Sequence, residues 1–467
     1  VGPNYHTPSA PSAPAFKEDA QVAPPPDFPH GGWKRAQPGD DKLRGKWWEI
    51  YGDPELNKLE ETIAVSNQTL KAQYEQYQRA VAAVREYRAS YYPTLAIDPS
   101  AARTKLSTNQ PNFNRTLEQP QYNNYIAAGQ AEWEPDLWGS VRRTVESARA
   151  TAQATAADLA NVDLSLHSEL AMDYFELRGL DTQQQLLQNT VVEYQKYLDL
   201  TTIRFKGGVS TESDVAQAQT QLDQTKAQLI DVGVARAQYE HAIATLTGVP
   251  ASSFSLEMAP LTLTLPDVPV GLPSELLERR PDVAGAERRA DAANAQIGVA
   301  IAAFYPTVSL NGSGGFQSTQ PGTIFQGPSA LWSLGGSATE LLFDAGRRRA
   351  VTDEAKASYE SQVATYRQTV LQAFQDVEDQ LAALRILNQE SGAQDKAVRD
   401  AQHSLALSTN RYKEGITTYL EVITAQATEL ANERTAADIT TRQFSSSVQL
   451  VKALGGGWDT GQLPKRP

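Results

Sequence analysis

Two carboxylates stand at matching places in the two halves of this chain. Asp214 follows Thr211 by three residues, and Glu421 follows Thr418 by three. Each lies just after one of two near-identical stretches. Arg204-Phe205-Lys206-Gly207-Gly208-Val209-Ser210-Thr211 returns as Arg411-Tyr412-Lys413-Glu414-Gly415-Ile416-Thr417-Thr418, and 411 − 204 = 207. A Thr-x-x-Asp or Thr-x-x-Glu spacing is that of a capping box, in which side chains satisfy free N–H groups at a helix start. Carboxylates that converge also attract cations and repel one another unless paired or protonated. Arg204 and Arg411 could pair with such carboxylates through the guanidinium fork. Equally, they could offset the dipole at the end of a helix. The glycines Gly207, Gly208 and Gly415 permit the positive φ that a tight helix end needs. This chemistry holds charge at a turn and breaks no bond.

Other chemistries find no support. There are no cysteines, which excludes disulfides, thiolate metal sites and cysteine nucleophiles. His6, His30, His167, His241 and His403 are scattered without metal-ligand spacing. Gly312-x-Gly314-Gly315 lies in a strand pattern, away from the strand-to-helix setting of a nucleotide loop. Asp376, Glu378 and Asp379 read as a solvated helix face. No catalytic triad is visible, so neither enzyme activity, metal nor cofactor is expected. The net charge of −13 and the pI near 5.0 argue against a nucleic-acid partner.

The elements that position the turns are long. A second repeated pair, Tyr92-Pro93-Thr94-Leu95 and Tyr305-Pro306-Thr307-Val308, is offset by 305 − 92 = 213 residues. Each half therefore carries the same parts in the same order. Residues 1–53 read as an extended arm, rich in Pro around Pro24-Pro25-Pro26, ending in an aromatic docking point at Trp47, Trp48 and Tyr51. The first repeat, 54–270, is expected to hold one helix from Pro54 to Tyr91, a β-hairpin over 93–136 and a helical hairpin over 140–248. The second, 271–457, is expected to hold a helix, a β-hairpin over 306–344 and a helical hairpin over 346–454; 458–467 is a tail. The long stretches from Ser140 to Lys206 and from Gly346 to Lys413 contain no proline. Such uncapped lengths point to a coiled-coil assembly. A mean hydropathy of −0.44 and a hydrophobic share of 40% fit thin helical packing with little deep core.

The hairpins alternate with period two. Val308, Leu310 and Phe316 interleave with Thr307, Ser309 and Gln317, and Trp332 and Leu334 with Ser333 and Gly335. Aromatics, among them Tyr92, Trp133, Tyr305 and Trp332, sit near the strand ends. This is the pattern of a membrane β-barrel, and also of two hairpins in a soluble sheet. The longest apolar run, Ile297 to Tyr305, is far short of the roughly 20 residues a membrane helix needs. A membrane crossing must then use strands. Four strands cannot close a membrane barrel, so it would need an oligomer: two chains supply eight strands, three supply twelve.

The chain resembles the outer-membrane efflux factors, the TolC/OprM type, and in particular their lipoprotein branch. The resemblance spans nearly the whole chain. It rests on Val1-Gly2-Pro3-Asn4-Tyr5, Trp47-Trp48 with Asp53-Pro54, Asp136-Leu137-Trp138-Gly139, and Leu276-Leu277-Glu278-Arg279-Arg280-Pro281-Asp282-Val283. It continues through Ala303-Phe304-Tyr305-Pro306, Leu342-Phe343-Asp344-Ala345-Gly346-Arg347, Tyr419-Leu420-Glu421-Val422 and Ala453-Leu454-Gly455-Gly456-Gly457-Trp458. It implies an α+β membrane protein. A homotrimer would form a twelve-stranded barrel in the Gram-negative outer membrane, continued by a long periplasmic α-helical barrel. The implied partners are a periplasmic adaptor (membrane fusion) protein, an inner-membrane pump of the RND type, and outer-membrane lipid. It implies a passive exit duct for small molecules such as drugs. Type I protein secretion and a soluble structural coiled coil are the alternatives. A periplasmic gate is implied at Asp214, Glu421, Arg204, Arg411 and Tyr412. The adaptor would contact the turns at Gly207, Gly208, Val209, Glu414, Gly415 and Ile416. Three positions further on, where the family often has a second acid, stand Gln217 and Thr424. The chain opens at Val1 without a signal peptide, as a processed form does, and the lipoprotein branch places a lipidated cysteine just before this segment.

Overall fold

The computed structural model describes residues 1–11, 13, 15–18, 45–107, 121–268, 279–458 and 460–463. The expected arm around Pro24-Pro25-Pro26, the loop between the first two strands, the junction of the repeats at 270/271 and the end of the tail lie outside the described residues.

Two helices of 67 residues dominate the molecule: α3, Ser140–Lys206, and α6, Arg347–Lys413. At about 1.5 Å per residue each is roughly 100 Å long. Their partners on the return path are α4, Glu212–Leu246, and α7, Tyr419–Ala453. Both long helices start in the same way. Gly139 and Gly346 adopt φ of 81° and 89°, turning the chain out of the sheet. Asp136 then accepts the N–H groups of Val141 and Arg142, and Asp344 those of Gly346 and Arg348. A carboxylate thus satisfies the free donors and complements the positive end of each helix.

The helix expected from Pro54 to Tyr91 is two helices, α1, Pro54–Ser66, and α2, Gln68–Ala89. Asn67 divides them with an extended backbone. Its amide oxygen accepts the N–H of Leu70, and its amide nitrogen donates to the carbonyl of Leu246 at the end of α4. The break is held by a residue 179 positions away. The second repeat has the helix α5, Pro281–Ala302, packed between α3 and α6.

The strands β1 (Thr94–Lys105), β2 (Gln121–Trp133), β3 (Thr307–Ser318) and β4 (Ala330–Thr339) form one antiparallel sheet in sequence order. The register keeps the two faces separate across all four. Leu95 faces Ala131, Ala131 faces Gly312, and Gly312 faces Leu334. On the other face Ala96 pairs with Gln130, Gln130 with Ser313, and Ser313 with Ser333. The apolar face is open to the surroundings: Leu95, Ile97, Trp332 and Leu334 are each about four-fifths exposed. No helix among the described residues is long and apolar enough to cross a membrane.

The core lies where α1, α3 and α7 meet. Tyr51, Phe175 and Phe444 pack there as tilted rings at centroid distances between 4.7 and 6.1 Å, and Trp47 and Trp48 belong to the same buried cluster. The docking point expected of the tryptophans is therefore part of the core. A chain of 50.9 kDa would expose roughly 17,000 Å² as a compact monomer. This one exposes 27391 Å². The surplus is that of an elongated molecule with faces shaped for neighbours.

Candidate functional site

The two repeated turns meet at the end of the molecule far from the sheet, and they share one backbone geometry. Gly208 and Gly415 adopt φ of 72° and 77°. The N–H of Val209 bonds the carbonyl of Arg204, and that of Ile416 bonds the carbonyl of Arg411, both at 2.9 Å. The N–H groups of Gly208 and Gly415 bond Phe205 and Tyr412. This is the Schellman pattern, which satisfies the last carbonyls of α3 and α6. Gly207 sits one residue earlier at φ −81°, the place that Glu414 fills at −77° in the second turn. Only one glycine per turn is required, not the pair expected in the first.

The side chains around the turns differ. In the first, the expected capping box is complete. Thr211 Oγ1 accepts the Asp214 N–H at 3.2 Å, and Asp214 Oδ2 accepts the Thr211 N–H at 2.9 Å. The hydroxyls of Ser210 and Thr211 donate to the same oxygen. Partial burial opposes the charge on Asp214, but these hydrogen bonds outweigh it and hold the carboxyl below its ordinary range.

In the second turn the capping box is not formed. Thr418 makes no side-chain cap bond, and Glu421 Oε2 instead lies 3.4 Å from Arg411 Nη1. The extra methylene of glutamate lets it reach back to the helix before the turn. Arg204 offers Asp214 no such partner, because it crosses to the other repeat. Its guanidinium lies 4.7 Å from the centre of the Tyr412 ring and donates to the Lys413 carbonyl at 3.1 Å. Tyr412 is 3% exposed and packs against Tyr419 at 5.4 Å, with its hydroxyl 3.4 Å from Thr201. Tyr197 bonds Thr409 across the same seam at 3.0 Å. Of the predicted gate residues, Arg204 and Tyr412 meet, Arg411 and Glu421 meet, and Asp214 stands apart in its own cap.

Of the residues that tie the repeats together behind the turns, Thr201, Tyr197 and Thr409 were not singled out in the sequence, and Tyr419 entered only through the Tyr419-Leu420-Glu421-Val422 motif. Beyond them, Val209 and Ile416 stand out at the tips, 68% and 63% exposed. In a Schellman turn this apolar side chain commonly packs back on its own helix; here both face outward.

The aromatics expected at a membrane interface fall toward the two ends of the sheet. Trp133 donates to the Tyr91 carbonyl, Tyr92 lies beside it, and Tyr305 stacks with Trp138 at 4.9 Å, all at the helix end. Trp332, opposite Gly314, lies toward the far end.

A profile of the family described as "Outer membrane efflux protein" matches residues 59–249 and 272–456. The "Pyoverdine export outer membrane protein OpmQ" of Pseudomonas aeruginosa is 31% identical over 418 residues, covering 89% of this chain and 88% of its own length. The "Probable efflux pump outer membrane protein TtgC" of Pseudomonas putida is 30% identical, covering 98% and 93%. Among solved structures, the outer-membrane channel OprN superposes with a TM-score of 0.87 at 29% identity, covering 98% of this chain and 99% of its own.

Proposed function

Since the chain belongs to the outer membrane efflux protein family, we propose that three copies form a passive exit duct served by a periplasmic adaptor and an RND-type pump. The observation that carries this reading is the pairing of one four-stranded sheet, apolar on one face and polar on the other, with 67-residue helices that end at twin turns. Three such sheets supply twelve strands, enough for a barrel with a polar lumen. The cargo is of the small-molecule class named for the relatives, and the pump selects it.

The turns with the outward-facing Val209 and Ile416 are the adaptor contact. The gate lies just behind them. Arg204 clasps the second turn through Tyr412 and Lys413, while Arg411 and Glu421 form a weaker exposed pair. Three protomers bring three Asp214 and three Glu421 toward one axis, which favours cations. At the other end, Val1 lies against Trp138 at the foot of the sheet, with Arg143 donating to its carbonyl. A lipid carried on a cysteine before Val1 would reach the membrane from there.

The chain has no cysteine, so a single Cys at Val209 or Ile416 reports one position. Each should crosslink to the adaptor in cells that carry the complete pump, and a cysteine at exposed Val65 should not. Crosslinking from Val65 alone would move the adaptor contact away from the turns.

A further inference from the structure

At the end of β1 far from the helices, two cations stand on the apolar face. Strand parity places Arg103 and Lys105 on the side of Leu95 and Ile97. Their direct cross-strand partners are Asn123 and Gln121, both amides. Arg103 and Lys105 are exposed, and among the described residues neither is ion-paired. A lipid-facing cation is strongly unfavourable near the bilayer midplane and tolerated at the interfaces.

The depth follows from strand geometry. Arg103 lies eight residues beyond Leu95 and Lys105 ten. At about 3.3 Å per residue and a tilt of about 40°, these steps span roughly 20 and 25 Å along the membrane normal. The apolar band of an outer-membrane barrel is about 25 Å tall. Leu95 lies one step inside the rim marked by Tyr92 and Trp133, so both cations reach the opposite interface. That is the leaflet facing away from the periplasmic helices. The second repeat is different at this height. It carries Phe316 and Phe325 edge to face at 5.5 Å, with exposed Trp332 nearby. Each protomer thus offers one basic panel and one aromatic panel to the outer leaflet.

We propose that Arg103 and Lys105, with the amides of Asn123 and Gln121, form a docking site for the phosphate-bearing headgroup of an outer-leaflet lipid. The guanidinium supplies a planar fork matched to phosphate, the ammonium a second point charge, and the amides neutral donors. The apolar strand below, through Ile97 and Leu95, accommodates the acyl chains. The site rests on the barrel reading above.

The test is native mass spectrometry of the full chain in neutral detergent, with diphosphoryl lipid A and phosphatidylcholine as probes. The wild-type trimer should retain lipid A in preference to phosphatidylcholine. Each interfacial cation contributes about fivefold, so R103Q/K105Q should weaken lipid A binding roughly 30-fold. R103K/K105R, which keeps both charges, should restore most of it. Equal retention by the wild type and the glutamine variant would overturn the site. So would displacement of the lipid by inorganic phosphate at matched concentration. A chain that never appears as a trimer removes the barrel itself, and the same spectra show that separately. Both positions are exposed, so the variants should keep the wild-type trimer mass.

Discussion

Removing the Arg204 side chain should detach the two turns from each other. Arg204 is half-buried, and the ring it covers is fully buried. A cation over an aromatic face contributes about 0.5–1 kcal/mol when exposed and about 2 when desolvated. A hydrogen bond from a charged donor contributes about 1.5–3 kcal/mol. Water replaces part of both at a half-buried site, so the lower end of the sum applies, about 2 kcal/mol, or roughly 30-fold in the population of detached turns. Arg204→Lys keeps the charge but loses the planar stack, and should recover only part of the effect. Hydrogen exchange reads this directly. The amides of Val209 and Ile416, protected by their bonds to Arg204 and Arg411, should exchange faster in Arg204→Ala, and single-channel conductance should rise. Unchanged protection together with unchanged conductance would refute the clasp.

Asp214→Ala should cost about 1 kcal/mol at the start of α4, because it removes the carboxylate half of the capping box, which accepts the Thr211 N–H. Glu421→Ala should cost less, because its pair with Arg411 is 54% and 48% exposed and such pairs contribute about 0.2–1 kcal/mol; chemical denaturation compares the two. Asp181 is fully buried between Arg178 at 3.0 Å and Arg236 at 2.7 Å and accepts the N–H of Ala259, so Asp181→Ala should destabilise by about 3–5 kcal/mol, read as a lower denaturation midpoint. The buried pair of His167 and Glu60, 2.6 Å apart under the Trp48 ring, gives a pH dependence. Burial pushes the Glu60 carboxyl up; burial pulls His167 down, but its bonds to Asp163 and Glu60 win and raise it to about 9. Both groups hold protons in the folded state that the unfolded chain releases, so stability falls as pH rises: Glu60's share is lost from the ordinary carboxylate value up to about 7, and His167's from the ordinary histidine value up to about 9. The thermal midpoint should therefore fall over that window, and His167→Gln should flatten the slope.

The sheet and the long helices were legible because their signals are local and periodic. Alternation over ten or more residues marks a strand, and a proline-free stretch from Ser140 to Lys206 has little choice but helix. The Schellman turns were legible from Gly208 and Gly415 for the same reason. What escaped depends on distant partners. The break at Asn67 is held by Leu246, and the Arg204 clasp joins residues from opposite repeats. Thr418-x-x-Glu421 has the spacing of a capping box, yet a guanidinium ten residues earlier takes the carboxylate. Spacing states which bonds are reachable; competition among partners in three dimensions decides which form.

The most direct test of the central claim is the conductance of the detergent-purified protein in a planar bilayer, measured with its oligomer mass. Three chains closing one barrel behind clasped acidic turns predict a trimer with a small, cation-favouring conductance. A monomer that never inserts would contradict the duct and leave a soluble helical rod in its place.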